Sequence, residues 1–230
     1  ELRILVLGDS VPNGGGLIDQ AELATEIVRR EWSARAGKPV SVGNVSAGTW
    51  SPPNLLAYIE EYGTFSADMG IIILNRDDLN DLPTFQPLDP RVHPTRRPMT
   101  AAGELLHRYI LGWVLRSVRA ARYPSRVPAS YVESDAECLA SLRKLVSRLR
   151  RDRCALTMLY HPCRDEFDAQ GGFHPDAVYG TLQAFASTHD LPFVSPAVRY
   201  GAAIRSGQAV FRDLYHPAAR GQALLAEEIM

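Results

Sequence analysis

Short apolar runs alternate along the chain with longer stretches whose apolar positions recur every three or four residues. Ile4–Leu7, Val40–Val42, Met69–Leu74, Ala155–Tyr160 and Phe193–Ser195 read as strands. Met69–Leu74 is apolar throughout, as expected of a strand covered on both faces. Helical spacing runs over Leu17–Arg35, Leu55–Tyr62, Leu105–Arg119, Ala136–Leu149, Ala177–Ser187 and Ala218–Ile229. Strands alternating with helices in this way predict an α/β fold, an open parallel sheet with helices on both faces.

One segment breaks the alternation. Residues 83–98 contain Pro83, Pro87, Pro90, Pro94 and Pro98, a density that excludes regular structure. The expectation is one domain over residues 1–230 with an irregular, Pro-rich excursion of the kind that often carries binding function. A second prolyl stretch, Tyr123–Pro128, links two helical patterns.

Composition narrows the function classes. With 230 residues, 46% hydrophobic, the chain is long enough for one sizeable core. A formal net charge of −1 gives no reason to expect a nucleic acid or an acidic membrane surface as partner. The densest basic run, Arg143, Lys144, Arg148, Arg150, Arg151 and Arg153, shares its segment with Leu139, Leu142, Leu145, Val146 and Leu149 at helical spacing. It reads as the wet face of an amphipathic helix rather than a nucleic-acid site. Cys138, Cys154 and Cys163 are too few and scattered for a disulfide framework or a zinc site. No apolar stretch reaches the roughly 18 residues of a membrane helix, and no signal peptide is visible. The compartment expectation is the cytoplasm, or export if a leader has been trimmed. Nothing in the sequence sets an oligomeric state.

In open α/β sheets, ligands bind beyond the carboxyl ends of the strands. Gly8-Asp9-Ser10, Ser46-Ala47-Gly48-Thr49, Asn75-Arg76-Asp77-Asp78 and Tyr160–Glu166 all emerge there, and Asp213–His216 lies just before the last helix. Ser10 follows a strand at a sharp turn, with Gly14, Gly15 and Gly16 after it. A serine hydroxyl is a poor nucleophile until a base takes its proton. A phosphate-binding glycine loop is the alternative, but the lysine of that motif is missing. Of the six histidines, only His216 outside a helical pattern has an acid three residues before it, Asp213. His107 has Glu104 at that offset, inside an amphipathic stretch. Ser10, His216 and Asp213 are therefore the candidate nucleophile, base and orienter.

Gly-Asp-Ser at residues 8–10, Gly48 after the second strand and Asp213-Leu-Tyr-His216-Pro before the last helix together resemble the SGNH (GDSL-type) hydrolase family. The resemblance implies a three-layer α/β/α sandwich with a flavodoxin-like sheet, no cofactor and no metal. It implies hydrolysis or transfer of an acyl group through an acyl-serine, with Ser10 and Gly48 backbone N–H groups as oxyanion donors. A softer resemblance, through Asn44–Gly48 and Asp78–Phe85, is to SGNH proteins associated with bacterial exopolysaccharide biosynthesis. It makes a carbohydrate or small-molecule ester, with acetyl as acyl group, the expected partner. Trp50, His161 and Arg164 are then candidate substrate contacts, with Glu166 beside them.

One position departs from the family's pattern. Where the family carries the asparagine that gives a third oxyanion donor, this chain has Asp77. An ionised carboxylate cannot donate and repels a developing oxyanion. Asp77 is then protonated, or turned away, or replaced in function by Asn75. An SGNH-fold protein of impaired catalysis that binds glycans or serves as a scaffold is the competing expectation.

Overall fold

The computed structural model describes residues 1–83, 99–110 and 131–230. Five strands, β1 (Leu2–Gly8), β2 (Val40–Ser46), β3 (Met69–Leu74), β4 (Ala155–Tyr160) and β5 (Phe193–Val194), form one sheet in the order β2-β1-β3-β4-β5. Every pairing is parallel. This is the flavodoxin-like order, and the strand order reverses at β1 and β3.

Alternating side chains of each strand enter two cores. Leu5, Leu7, Ile72 and Leu74 pack against the helices Pro52–Tyr62, Tyr131–Arg151 and Ala177–Thr188. Ile4, Val6, Ile71 and Ile73 pack against Ala24–Ala36 and Ala219–Ile229. Burial on both faces is why these strands read as continuous apolar runs. Cys138, Cys154 and Cys163 are free and buried. No helix among the described residues is long and apolar enough to cross a membrane.

Several expected elements differ. The expected helix Leu17–Arg35 is interrupted: a 3-10 turn, Gln20–Glu22, is followed by extended Leu23 before the helix Ala24–Ala36. Asp19 caps the short turn by accepting from Ala21 N–H, and buried Gln222 Oε1 accepts from Ala24 N–H at 2.9 Å. Tertiary anchoring overrides a continuous helical pattern there. The helix Ala197–Arg205 was not expected from the pattern. Its apolar face is made largely of small residues, and Gly201 packs directly on Gly171, where a Cβ would lie 2.3 Å from the carbonyl oxygen.

The chain divides into two units, Glu1–Pro83 with Val132–Met230, and Thr84–Tyr131. In the second unit, Thr100 caps a helical turn, Ala101–Glu104, which continues as a π-helical turn, Leu105–Ile110. Most of the Pro-rich excursion, the remainder of the expected helix to Arg119 and the stretch Tyr123–Pro128 lie outside the described residues.

Candidate active site

The turn after β1 is built for close approach. A Cβ on Gly8 would lie 2.7 Å from Pro12 Cγ, so only glycine fits. Asp9 Oδ1 accepts from Val11 N–H at 2.8 Å and caps a one-turn helix, Ser10–Asn13. Gly14 ends it with φ +77, donating to Ser10 O at 3.0 Å. Two asparagines tie this turn to β2: Asn13 donates to Ser46 O at 3.0 Å and Asn44 to Pro12 O at 2.7 Å. From the other side, Gln222 Nε2 donates to Val11 O at 3.0 Å. Ser10 is thus held at the head of a braced turn, with its own N–H free of the helical ladder.

The second half of the site is a tight loop. Asp213 Oδ1 accepts from the N–H groups of Tyr215 at 3.0 Å and His216 at 2.8 Å. Those two bonds explain the Asp-x-x-His spacing, because they fold the loop so that the imidazole returns to the carboxylate. His216 Nδ1 lies 2.9 and 2.8 Å from the two Asp213 oxygens, and Nε2 lies 2.9 Å from Ser10 Oγ. With Nδ1–H facing the carboxylate, Nε2 is left to accept the serine proton. Arg212 N–H donates to His216 O and Arg164 N–H to Leu214 O, each at 2.8 Å, which fixes the loop on the sheet rim.

Electrostatics favour a charged orienter. Burial pushes the Asp213 carboxyl up, but hydrogen bonds from His216 and Tyr215 outweigh it and hold it at about 2. Asp9 and Asp78 behave oppositely. Burial raises both, and the charge of Asp9 raises Asp78 further.

Asn75 sits between those two acids. Its N–H donates to Asp78 Oδ2 at 2.7 Å, its Nδ2 donates to Asp9 Oδ2 at 2.9 Å, and its Oδ1 accepts from Asp77 N–H at 2.8 Å. Of the three alternatives, the one in which Asn75 replaces the missing donor is corrected: the residue is 3% exposed and its Nδ2 is engaged with Asp9. The argument from strand alternation failed because β3 ends at Leu74 and a turn begins at Asn75.

Asp77 is on the rim, with its side chain 51% exposed and 3.8 Å from Arg76 Nε. A hydrogen bond to Asp77, with burial adding to it, raises the Tyr215 phenol. Gly48 lies in the exposed turn after β2 and makes no hydrogen bond among the described residues.

The expected substrate contacts separate. His161 is corrected: its ring is 0% exposed and packs edge-on against Tyr200 and Phe211. Burial, with His216 adding to it, lowers His161 to about 3, so it stays neutral. Glu166 is also buried and braces Tyr160 Oη, Cys163 N–H and Asp176 N–H. The chain leaving β4 turns back into the aromatic core before it reaches solvent. Arg164 is exposed and lines a cavity of about 370 Å³ with Phe167, Gln208 and Phe211. Trp50 is half-buried, its ring 5.6 Å from that of Tyr58. Asn13, Asn44, Tyr215 and Gln222 escaped sequence reasoning; of these, Gln222 left a signal, a polar residue on the apolar face of the last helix. Among the described residues, no group of three or more His, Cys, Asp or Glu side chains could hold a metal ion.

No protein-family model matches the sequence, and no curated protein matches it. Solved structures do match. An acetyl xylan esterase, AlAXEase, aligns over 99% of this chain and 98% of its own, at TM-score 0.63 and 9% identity. A member of the lipolytic G-D-S-L family from Veillonella parvula aligns over 99% and 96%, at TM-score 0.52 and 16% identity. The fold is that of the SGNH hydrolases. A mutant of Axe2, an acetyl-xylooligosaccharide esterase from Geobacillus Stearmophilus, aligns over 99% of this chain and 92% of its own, at TM-score 0.58 and 15% identity. In the SGNH frame, Ser10 follows β1 and Asn75–Asp78 follows β3, the two strands at the topological switch point.

Proposed function

We propose that this chain is a serine ester hydrolase that removes an acyl group, acetyl in the leading case, from a carbohydrate or small-molecule ester. The observation that carries the reading is the unbroken line from Ser10 Oγ through His216 to ionised Asp213, with heavy-atom separations of 2.9 and 2.8 Å. Ser10 Oγ attacks the acyl carbonyl while its proton passes to His216 Nε2. The alcohol leaves with that proton, and an acyl-serine remains. Water then attacks, giving a proton to His216; the carboxylic acid departs and the proton returns to Ser10. A second alcohol in place of water makes the same cycle an acyl transfer. The N–H groups of Ser10 and Gly48 serve as oxyanion donors. Structural likeness to esterases of acetylated xylan and xylooligosaccharides favours an O-acetylated sugar as substrate.

Fluorophosphonate labelling tests this. A single adduct on Ser10, slowed by an acetylated oligosaccharide, is expected. Absence of an adduct favours a second reading, a glycan-binding or scaffold protein on the SGNH fold, which the acid at residue 77 motivates.

Asp77 bears on rate. Loss of one oxyanion donor costs about 10²–10³ in turnover in a well-studied protease. Asp77→Asn is therefore expected to raise kcat for an aryl acetate by about tenfold or more, since it supplies a donor and removes a negative charge. Unchanged or lower kcat would show that residue 77 lies off the oxyanion path.

A further inference from the structure

Asp9 and Asp78 are buried acids near the nucleophile that the acyl-serine cycle leaves unused. Asn75, buried as they are, links them. Its N–H donates to Asp78 Oδ2 at 2.7 Å, and its Oδ1 accepts from Asp77 N–H at 2.8 Å. That second bond settles which end of the amide faces Asp9, so Nδ2 is the group that donates to Asp9 Oδ2, at 2.9 Å. The other carboxylate oxygen, Asp9 Oδ1, is taken by Val11 N–H at 2.8 Å.

Asp9 Oδ2 has a second neighbour. Ser10 Oγ lies 3.4 Å from it and 2.9 Å from His216 Nε2. A serine hydroxyl has one proton to donate, and here two acceptors compete for it, Asp9 at the limit of reach. A proton turned towards Asp9 points away from the base and cannot pass to His216 as the serine attacks. A bond to any atom of the turn after β1 would tie it to the turn after β3. This bond falls on the one oxygen that competes for the serine proton.

We propose that Asn75 is a positioning residue that acts through Asp9: its amide occupies Asp9 Oδ2 and so leaves the Ser10 proton to His216. The inference rests on the esterase reading and adds a residue to that site. A buried carboxylate oxygen that loses its donor takes the nearest one left, because an unmet charge away from water costs more than a hydrogen bond is worth. For Asp9 Oδ2, the Ser10 hydroxyl is that donor.

The test is a double-mutant cycle. Asn75→Ala is expected to lower kcat for an aryl acetate by about tenfold or more with KM unchanged. In an Asp9→Ser background the new side chain keeps a helix cap but no carboxylate competes, and the same substitution is expected to cost less than about twofold. An equal loss in both backgrounds overturns the proposal, because Asn75 would then only brace the two turns. Wild-type kcat in Asn75→Ala overturns it too. Fluorophosphonate labelling separates this from failure of the esterase reading. An adduct that forms on wild-type Ser10 and about tenfold more slowly in Asn75→Ala is expected, by the same loss of a hydrogen bond. Equal rates overturn the positioning role alone, and no adduct on wild type overturns the esterase reading. A neutron structure of wild type decides the positioning role even if the variants do not fold or wild type takes no label. The Ser10 deuteron is expected on the His216 side, with an Asn75 amide deuteron on Asp9 Oδ2. A deuteron between Ser10 Oγ and Asp9 Oδ2 overturns the proposal.

Discussion

Ser10→Ala is expected to abolish ester hydrolysis, with a loss on the order of 10⁶ in kcat, as for removal of a serine nucleophile that acts as a unit with its base. The substitution removes one oxygen and little else. Ser10 is the first residue of a one-turn helix whose cap is Asp9, and the braces from Asn13, Asn44 and Gln222 do not involve its hydroxyl. The folded state should therefore survive, which circular dichroism and a thermal melt would establish alongside the rate. His216 would keep its bonds to Asp213 but face no proton to accept. A variant that folds and retains more than about a hundredth of wild-type turnover would contradict the acyl-serine route, since oxyanion donors and binding alone leave far less than that.

Asp213→Asn is expected to lower kcat by about 10⁴ with the fold intact. Asp213 does two things at once. Oδ1 shapes the loop by accepting two backbone N–H groups, and both oxygens face His216 Nδ1. An asparagine oxygen can keep the backbone bonds, but its NH₂ would then stand against Nδ1. The imidazole would move its proton to Nε2, the nitrogen that must accept from Ser10. The carboxyl of Asp213 sits at about 2, below its ordinary 3.8, so it stays ionised over the working range. The sign for stability follows. A depressed folded value means that the stabilising contribution is present above pH 3.8 and is lost as pH falls towards 2. With the side chain 45% exposed the contribution is small. Stopped-flow acylation with an aryl acetate measures the catalytic effect; a loss under tenfold would mean that Asp213 shapes the loop and nothing more.

Much of the fold was readable along the chain. The apolar runs that became β1, β3 and β4 are buried on both faces, so their composition carried the signal without needing partners. The helix Ala24–Ala36 began later than its pattern because Gln222, almost two hundred residues away, receives its first N–H. The helix Ala197–Arg205 was missed because small residues packed against Gly171 carry little periodicity.

The site divides in the same way. Asp213 and His216 were legible as a pair because their contact is local, set by an Asp accepting from the next two N–H groups but one. The residue types needed for acyl chemistry, and the acid at position 77 in place of a donor, were likewise present in linear order. Their arrangement was not. Ser10 and His216 are separated by 206 residues, and only the closure of β1 and the last loop onto one sheet rim brings them to hydrogen-bond distance. The same long-range packing withdrew His161 into the aromatic core and turned Asn75 onto Asp9. Direction and burial of a side chain depend on what packs against it, and that is a property of the folded chain rather than of any window along it.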